Sequence, residues 1–555
     1  MSSPSRAILT GADAAVAALE ATGAHVAFGL PGVHNLSLWR ALGRSPIRLV
    51  GVRHEQAAAY AADGYARARG GLGIALTTTG PGAANTLGAV GEAWASRQPV
   101  LVIATDVPTT VRRPGSWRGA LHEATDQAAM FAPVVKAAIR VGAAEELGPA
   151  VARAAAIALT PPRRPVYVEV PTDLLDGAAP AGAPDLPAPP PPAPPDEAAL
   201  AEAVALVDSA ERPLVWAGGG AVQADAGAGL GRLAERIAAP VILTYAARGL
   251  LPPGHPCLVA APPHVPEVGA LWDEADLVLA VGTDLDGMMT QGWAMPRPPR
   301  LVALNVDAED AAKNYTPDVL LEADAAVGLE AVAERVRERG GLDALAGRVA
   351  AIGAAVRDGL RVTDPEASEL LAAMDAALPG DAIVVCDMCI PGYWLGGFRT
   401  PSLPRKLAYP LGWGTLGCAF PQGLGAALAE RGPAVSVSGD GGFLFACGEL
   451  ATAAQERIPL TAVVVDDGGY GMLRFDQDRR GDPHEGVDLL TPDFAALAGS
   501  FGVRAETVDG LGSGFGAALE RHLELDEPSL LVAHAALEPP PNTSPRWYRA
   551  AANGR

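Results

Sequence analysis

The sequence predicts an α/β protein of three domains, each built on a parallel sheet covered by helices. Three observations carry that reading. The chain has 555 residues, well past the size at which one hydrophobic core stops growing, so about three domains are expected. Hydrophobic residues make up 49% and charged residues 19%, which supplies large cores and excludes wholesale disorder. Short apolar runs alternate with Ala-rich helical stretches, the pattern of parallel strands joined by crossover helices.

Taken in order, residues 1–183 carry strand-like runs at 26–30, 47–53, 73–78, 99–104 and 166–170, with helical stretches at 11–22, 55–69 and 84–96. The run PDLPAPPPPAPP then marks a linker over 184–196, extended and fairly stiff because proline fixes φ and removes the backbone donor. A central α/β domain over 197–345 has strands at 213–217, 240–244, 276–282 and 300–306. Its LVWAGGG stretch sets Gly218 and Gly220 at the first two positions of a dinucleotide fingerprint, but Gln223 stands at the third; a structural tight turn and a nucleotide site both stay open. A charged, Ala-rich connecting segment is expected over 346–364. The third domain, 365–540, has strands at 382–386, 434–438, 460–465 and 529–533 and helices at 366–378 and 449–457, and residues 541–555 read as a tail. The first and third domains look like comparable units.

Lys and Arg total 42 against 63 Asp and Glu, a net charge of −21. Such a field disfavours nucleic acid and anionic membranes as partners. Asp13 and Glu20 interrupt the first Ala-rich stretch, so no signal segment is expected there, and nothing downstream approaches a membrane span. Five cysteines, Cys257, Cys386, Cys389, Cys418 and Cys447, are too few and too odd in number for a disulfide framework. Cys386 and Cys389 lack the second pair that a structural zinc site needs, so buried thiols are favoured. A cytoplasmic protein is expected.

The sharpest local signal is Gly439-Asp440-Gly441-Gly442 directly after the strand-like AVSVS. Asp440 offers a hard oxygen ligand, and the glycines let backbone donors approach an anion. The next strand-like run ends in Asp466-Asp467-Gly468-Gly469-Tyr470-Gly471. Parallel topology can bring both loops to one sheet edge, where two carboxylates and backbone carbonyls could hold Mg²⁺ against two phosphates. Asp440 alone fits turn capping equally well; the second loop favours the metal.

The whole stretch GDGGFLFACGELATAAQERIPLTAVVVDDGGYG resembles the cofactor motif of thiamine diphosphate-dependent enzymes, particularly the acetolactate synthase, 2-oxo acid decarboxylase and benzaldehyde lyase group. The resemblance spans about 8–540 and implies a pyrimidine-binding first domain, a central domain and a diphosphate-binding third domain. It implies that Asp440, Asp467 and the carbonyl of Gly469 hold Mg²⁺, with Gly439, Gly441, Gly442, Gly468, Gly469, Tyr470 and Gly471 at the diphosphate. Asp467 departs from the Asn often found there; it keeps an oxygen ligand and adds charge. GWGTLGCAFPQGLGAALA is similar to the passage that supports the bent cofactor, which implies packing by Leu416 and local contacts from Gly414 and Thr415.

In the first domain, GVRHEQAAAYAADGYARARG puts Glu55 at a strand-to-helix transition. Alone it would read as a helix-start charge; the resemblance implies that it reaches the aminopyrimidine N1′ and promotes proton loss from the thiazolium ring. LTTTGPGAAN sets Gly80, Pro81 and Gly82 in a tight strand-to-helix connection, with Asn85 beginning the covered helix; the resemblance implies that it shapes a dimer cleft, while as isolated residues these read as ordinary turn and helix-start elements. GLPGVHN places His34 where aldehyde lyases carry an active-site histidine, and ALHEATDQ places His122 near a position that often supplies Gln to the pocket. Either could relay a proton; either could equally be structural on its own. The paired histidines of pyruvate decarboxylases are absent from the corresponding region.

Tyr393, Trp394, Phe398, Met472, Leu473 and Phe475 are candidates for pocket walls, and Arg112, Arg113, Arg118 and Arg163 for carboxylate recognition, against packing and solubilising roles. VGTDLDGMMTQGW departs from the flavin-contact passages of acetolactate synthases, so FAD is not expected. The favoured reaction is decarboxylation of a 2-oxo acid to an aldehyde. Carboligation or lysis of 2-hydroxy ketones is the alternative, then a noncatalytic regulatory homologue. At least a homodimer is implied, with a tetramer open, acting on a small 2-oxo acid or aldehyde.

Overall fold

The computed structural model of the protein describes residues 9–113, 115–180, 184–187 and 190–540. The tail expected over 541–555 and part of the Pro-rich run lie outside them.

Three parallel sheets of six strands each organise the chain. The first runs Arg48–Gly51, Val26–Gly29, Gly73–Thr77, Val100–Asp106, Val166–Pro171, Ala137–Arg140. In chain order this is 2-1-3-4-6-5, and the third sheet repeats it: Leu407–Ala408, Ile383–Cys386, Ala434–Gly439, Leu460–Asp466, Ser529–His534, Arg504–Asp509. The central sheet is instead 3-2-1-4-5-6: Leu258–Val259, Val241–Leu243, Pro213–Ala217, Leu277–Val281, Leu301–Asn305, Val319–Glu322.

The interior strands were legible because helices cover both faces, so every residue must be apolar rather than every second one. All seven residues of Val100–Asp106 and all five of Pro213–Ala217 are buried. The strands not anticipated are Ala137–Arg140, Leu258–Val259, Val319–Glu322, Leu407–Ala408 and Arg504–Asp509, each at a sheet edge, together with the small antiparallel pair Leu9–Thr10 and Ala178–Ala179. The edges are short or half-exposed and lack a continuous apolar run. The helix expected over 84–96 is two pieces, Pro81–Ala84 and Leu87–Ala95. Residues 346–363 belong to one helix, Leu342–Thr363, and Pro365 starts the next, Pro365–Ala377.

First and third domains meet through the Glu55–Arg69 and Ala419–Ala427 helices. They cross at backbone contact: a Cβ on Gly64 would lie 1.9 Å from the Gln422 carbonyl oxygen, and one on Gly425 would lie 1.8 Å from that of Ala61. Beside the crossing, Gln422 Nε2 donates to Asp63 Oδ2 at 2.5 Å. Arg67 forks onto both Asp63 oxygens at 2.9 and 3.0 Å and reaches Glu92 at 3.2 Å. Buried carboxylates are tolerable here because a guanidinium pairs them.

Candidate active site

In an open parallel sheet, ligands bind beyond the carboxyl ends of the strands, where the strand order reverses. In the third sheet that point lies between Ile383–Cys386 and Ala434–Gly439. Asp387 follows the first of these strands and Asp440 the second; Asp467 follows the neighbouring strand, whose Val465 pairs with Gly439. The two loops singled out from the sequence therefore share one edge.

Asp440 is 1% exposed. Its Oδ1 accepts from Gly441 N–H at 2.7 Å, while Oδ2 is buried with no hydrogen-bond partner. Burial first, then the charges of Asp467 and Asp466, push its carboxyl up to about 7. Burial also raises Asp467, which Arg474 opposes by pairing with Oδ1 at 2.8 Å and donating to the Asp467 carbonyl at 2.8 Å. An orphaned carboxylate oxygen beside a second carboxylate is what a divalent cation relieves. Among the described residues no three His, Cys, Asp or Glu side chains could hold a metal together, so a cation at this pair would need further oxygen ligands.

The surrounding glycines are dictated by close approach. A Cβ on Gly441 would meet the Tyr470 ring at 2.5 Å, one on Gly442 would meet Asp387 Oδ2 at 2.4 Å, and one on Gly471 would meet Asp467 Oδ2 at 2.2 Å. Gly469 closes on the Val487 carbonyl in the same way, at 2.2 Å, whereas Gly439 faces Cys389 at 3.6 Å and Gly468 needs its positive φ of 77° for the turn. In the passage 414–417, Gly414 and Gly417 have φ of 76° and 78°, Thr415 Oγ1 is buried and Leu416 is half-buried. Asp387, missed from the sequence, pins this passage: Oδ2 accepts from Gly417 N–H at 2.9 Å and Oδ1 from Met388 N–H at 3.0 Å. It obeys the same strand-end rule as Asp440.

In the first domain, Glu55 opens the Glu55–Arg69 helix directly after strand Arg48–Gly51 and is 8% exposed. Asn85 Nδ2 donates to its Oε2 at 2.9 Å. The carboxylate of Glu449, from the third domain, accepts from the backbone of Arg53 and His54 at 3.0 Å and fixes the approach to the helix. His34 and His122 come together, with ring centroids 5.6 Å apart and edge to face. His34 Nδ1 lies 2.7 Å from Thr79 Oγ1, which donates to Thr105 at 3.0 Å. Burial first, then the neighbouring His122, hold His34 below the usual histidine range, which favours its uncharged form. His122 has φ of 67°, and its carbonyl lies against Gly80, whose N–H donates to buried Gln127 Oε1 at 2.6 Å. Gln127 was missed because its partners, Gly80, Thr105 and Tyr167, are far from it in sequence.

Other candidates part from the site. Trp394 is fully buried, donates to the Glu538 carbonyl at 2.9 Å and packs on Phe398. Tyr393 packs edge to face on Tyr409. Arg112 pairs with Asp106 and Glu169, each at 3.1 Å; Arg118 and Arg163 donate to the carbonyls of Val111 and Gly70. The central-domain glycines serve a loop contact: Gly220 N–H donates to the Gly282 carbonyl at 2.9 Å, and Gln223 donates to the Arg97 carbonyl at 2.6 Å. All five cysteines are free.

The sequence matches three family models: the thiamine pyrophosphate enzyme N-terminal TPP binding domain over 9–130, the central domain over 200–332, and the C-terminal TPP binding domain over 391–533. It is 37% identical over 503 residues to a Pseudomonas aeruginosa protein named probable 2-ketoarginine decarboxylase, covering 89% of this chain and 88% of the relative. It is 29% identical over 530 residues to a probable acetolactate synthase large subunit of Methanocaldococcus jannaschii, with 90% and 88% covered. It is 30% identical over 527 residues to an acetolactate synthase of Mycobacterium bovis, with 90% and 84% covered.

Proposed function

The chain belongs to the thiamine pyrophosphate-dependent enzymes, and from that premise we propose that it decarboxylates a 2-oxo acid to an aldehyde at a site made by the third-domain edge of Asp440 and Asp467 together with a first-domain Glu55. The observation that carries this reading is the buried, unpartnered Asp440 Oδ2 beside a second carboxylate at the sheet's reversal point.

Thiamine diphosphate, when bound, supplies the electron sink that makes loss of CO₂ feasible. Asp440, Asp467 and the Gly469 carbonyl would hold Mg²⁺. The backbone around Gly439, Gly441, Gly442, Gly468 and Gly471, with Tyr470, would line the diphosphate; Gly414, Thr415 and Leu416 would face the rings. Glu55 would hold and exchange a proton at the aminopyrimidine N1′, with Asn85 fixing its carboxylate. His34 and His122 would deliver or remove a proton at the substrate carbonyl and help exclude water from it.

The half-sites would be completed by a second copy. Val33, Leu36, Trp117 and Leu121 of the first domain and Trp413, Phe445, Leu473 and Leu490 of the third are exposed large hydrophobics, which suits a covered surface. Glu55 of one chain would then serve the cofactor held by its partner, in a homodimer or a tetramer of such pairs. No helix of the described residues is long and apolar enough to cross a membrane. A cytoplasmic setting suits the five free thiols.

The relative named 2-ketoarginine decarboxylase favours decarboxylation and makes a guanidino-substituted 2-oxo acid the first substrate to try. The acetolactate synthases favour a second reading, capture by another carbonyl. Mass-resolved product analysis with single and paired 2-oxo acids separates them. An aldehyde alone is expected, a coupled 2-hydroxy ketone moves the enzyme to carboligation, and no product at saturating cofactor refutes both.

A further inference from the structure

We propose that the cleft between the central and third domains is a second small-molecule site, taking a carboxylate carried on an apolar body. The cleft has a volume of about 890 Å³ and is walled by the loop around 253–261, the Leu342–Thr363 and Pro365–Ala377 helices and residues 398–402. That size suits a small organic ligand.

Its floor holds a cation with unmet bonds. Arg399 is 5% exposed and caps the C-terminus of the Ile390–Phe398 helix. Its Nε and Nη1 are buried with no hydrogen-bond partner. The nearest carboxylate, Asp375, stands 3.5 Å from Nε, and its side chain is 59% exposed. At the same helix end, Arg248 is 2% exposed and donates to the Gly397 carbonyl, with Nε and Nη1 again unpaired. Among the described residues no carboxylate pairs with Arg248. The helix C-terminus offsets part of this positive charge, but the two buried guanidiniums share a single half-exposed carboxylate, Asp375, which makes an ion pair with Arg399 at 3.5 Å and no hydrogen bond. Burying such groups without partners is costly, and an anion on Arg399 supplies what is missing. Arg357 and Arg361 add two cations at the wall beside Arg399; Arg361 is held by Asp358 at 2.7 Å, and Arg248 lies behind the lining.

The rest of the lining sets the ligand's other half. Val349, Val356, Leu371 and Phe398 line the cleft, so an apolar body gains burial that a bare anion does not. The site is separate from the cofactor edge. Cys389, at the opposite end of the same helix, faces Gly439, and nine residues of helix put about 13 Å between the two ends.

The test is calorimetric titration of the enzyme loaded with thiamine diphosphate and Mg²⁺. The probe is phenylacetate, a carboxylate on an apolar body with no 2-oxo group to react, compared with inorganic phosphate. R399M removes the charge and keeps the stem. A372W fills the cleft from an exposed position on its lining and keeps the test open if R399M fails to fold. Phenylacetate affinity is expected to fall about tenfold or more in each variant, with phosphate binding more weakly than phenylacetate to the wild type. No phenylacetate binding to the wild type, unchanged affinity in the folded variants, or phosphate binding as tightly would overturn the assignment.

Discussion

Glu55 is buried at the start of its helix and its carboxylate is held by a hydrogen bond from Asn85, the placement the proposed proton relay needs. Glu55→Gln preserves shape and removes the exchangeable charge. CO₂ release should drop by about a hundredfold or more, while cofactor affinity from calorimetry changes little; near-normal turnover would remove Glu55 from the relay. Asp387 gives a pH prediction. Burial pushes its carboxyl up to about 6 from an ordinary 3.8, so the fold favours the protonated form. The stability this group contributes is full below about pH 3.8 and lost as pH rises through about 6, roughly 3 kcal/mol in all. Asp387→Asn, followed by thermal unfolding without cofactor, should therefore lose less stability than the wild type between pH 4 and 7. Parallel pH profiles would count against it. That the Asp440 and Asp467 loops share one sheet edge was legible because two acid-and-glycine loops follow successive apolar strands; the bond from Asn85 to Glu55 and the whole role of Gln127 were not, since the partners Glu55, Gly80 and Tyr167 lie 30 or more residues away.

Elements here are held together by small residues as much as by large ones. The crossing of Glu55–Arg69 with Ala419–Ala427 depends on Gly64 and Gly425, each facing a carbonyl oxygen at less than 2 Å from any added Cβ. Gly64→Ala should cost about 1–3 kcal/mol, read as a lower denaturant midpoint, and should weaken cofactor binding by shifting Glu55. Gly347 sits in the Leu342–Thr363 helix with nothing within 4 Å of an added Cβ. There, Gly→Ala should raise stability by about 0.5–1 kcal/mol, so the pair separates packing from helix propensity. Interior strands announce themselves in the sequence by unbroken apolar runs. Edge strands such as Arg504–Asp509 do not, because half of their surface meets water.

On the scale of the molecule, two sheets of one topology belong to the first and third domains, with a differently ordered sheet in the domain between them in sequence. The repeat was visible in the sequence as similar alternation, but strand order was not, since it depends on long-range pairing. Exposed Trp117, Leu121, Trp413 and Phe445 supply apolar surface for the proposed pairing of two chains. The direct test is subunit complementation. Glu55→Gln and Asp440→Ala, each nearly inactive alone, are co-expressed in equal amounts and purified as a mixture. If Glu55 acts on a cofactor held by the partner, half of the dimers are mixed and each contains one intact site, restoring about a quarter of wild-type activity. Activity no greater than that of the separate variants, despite demonstrated mixed dimers, would contradict the shared site.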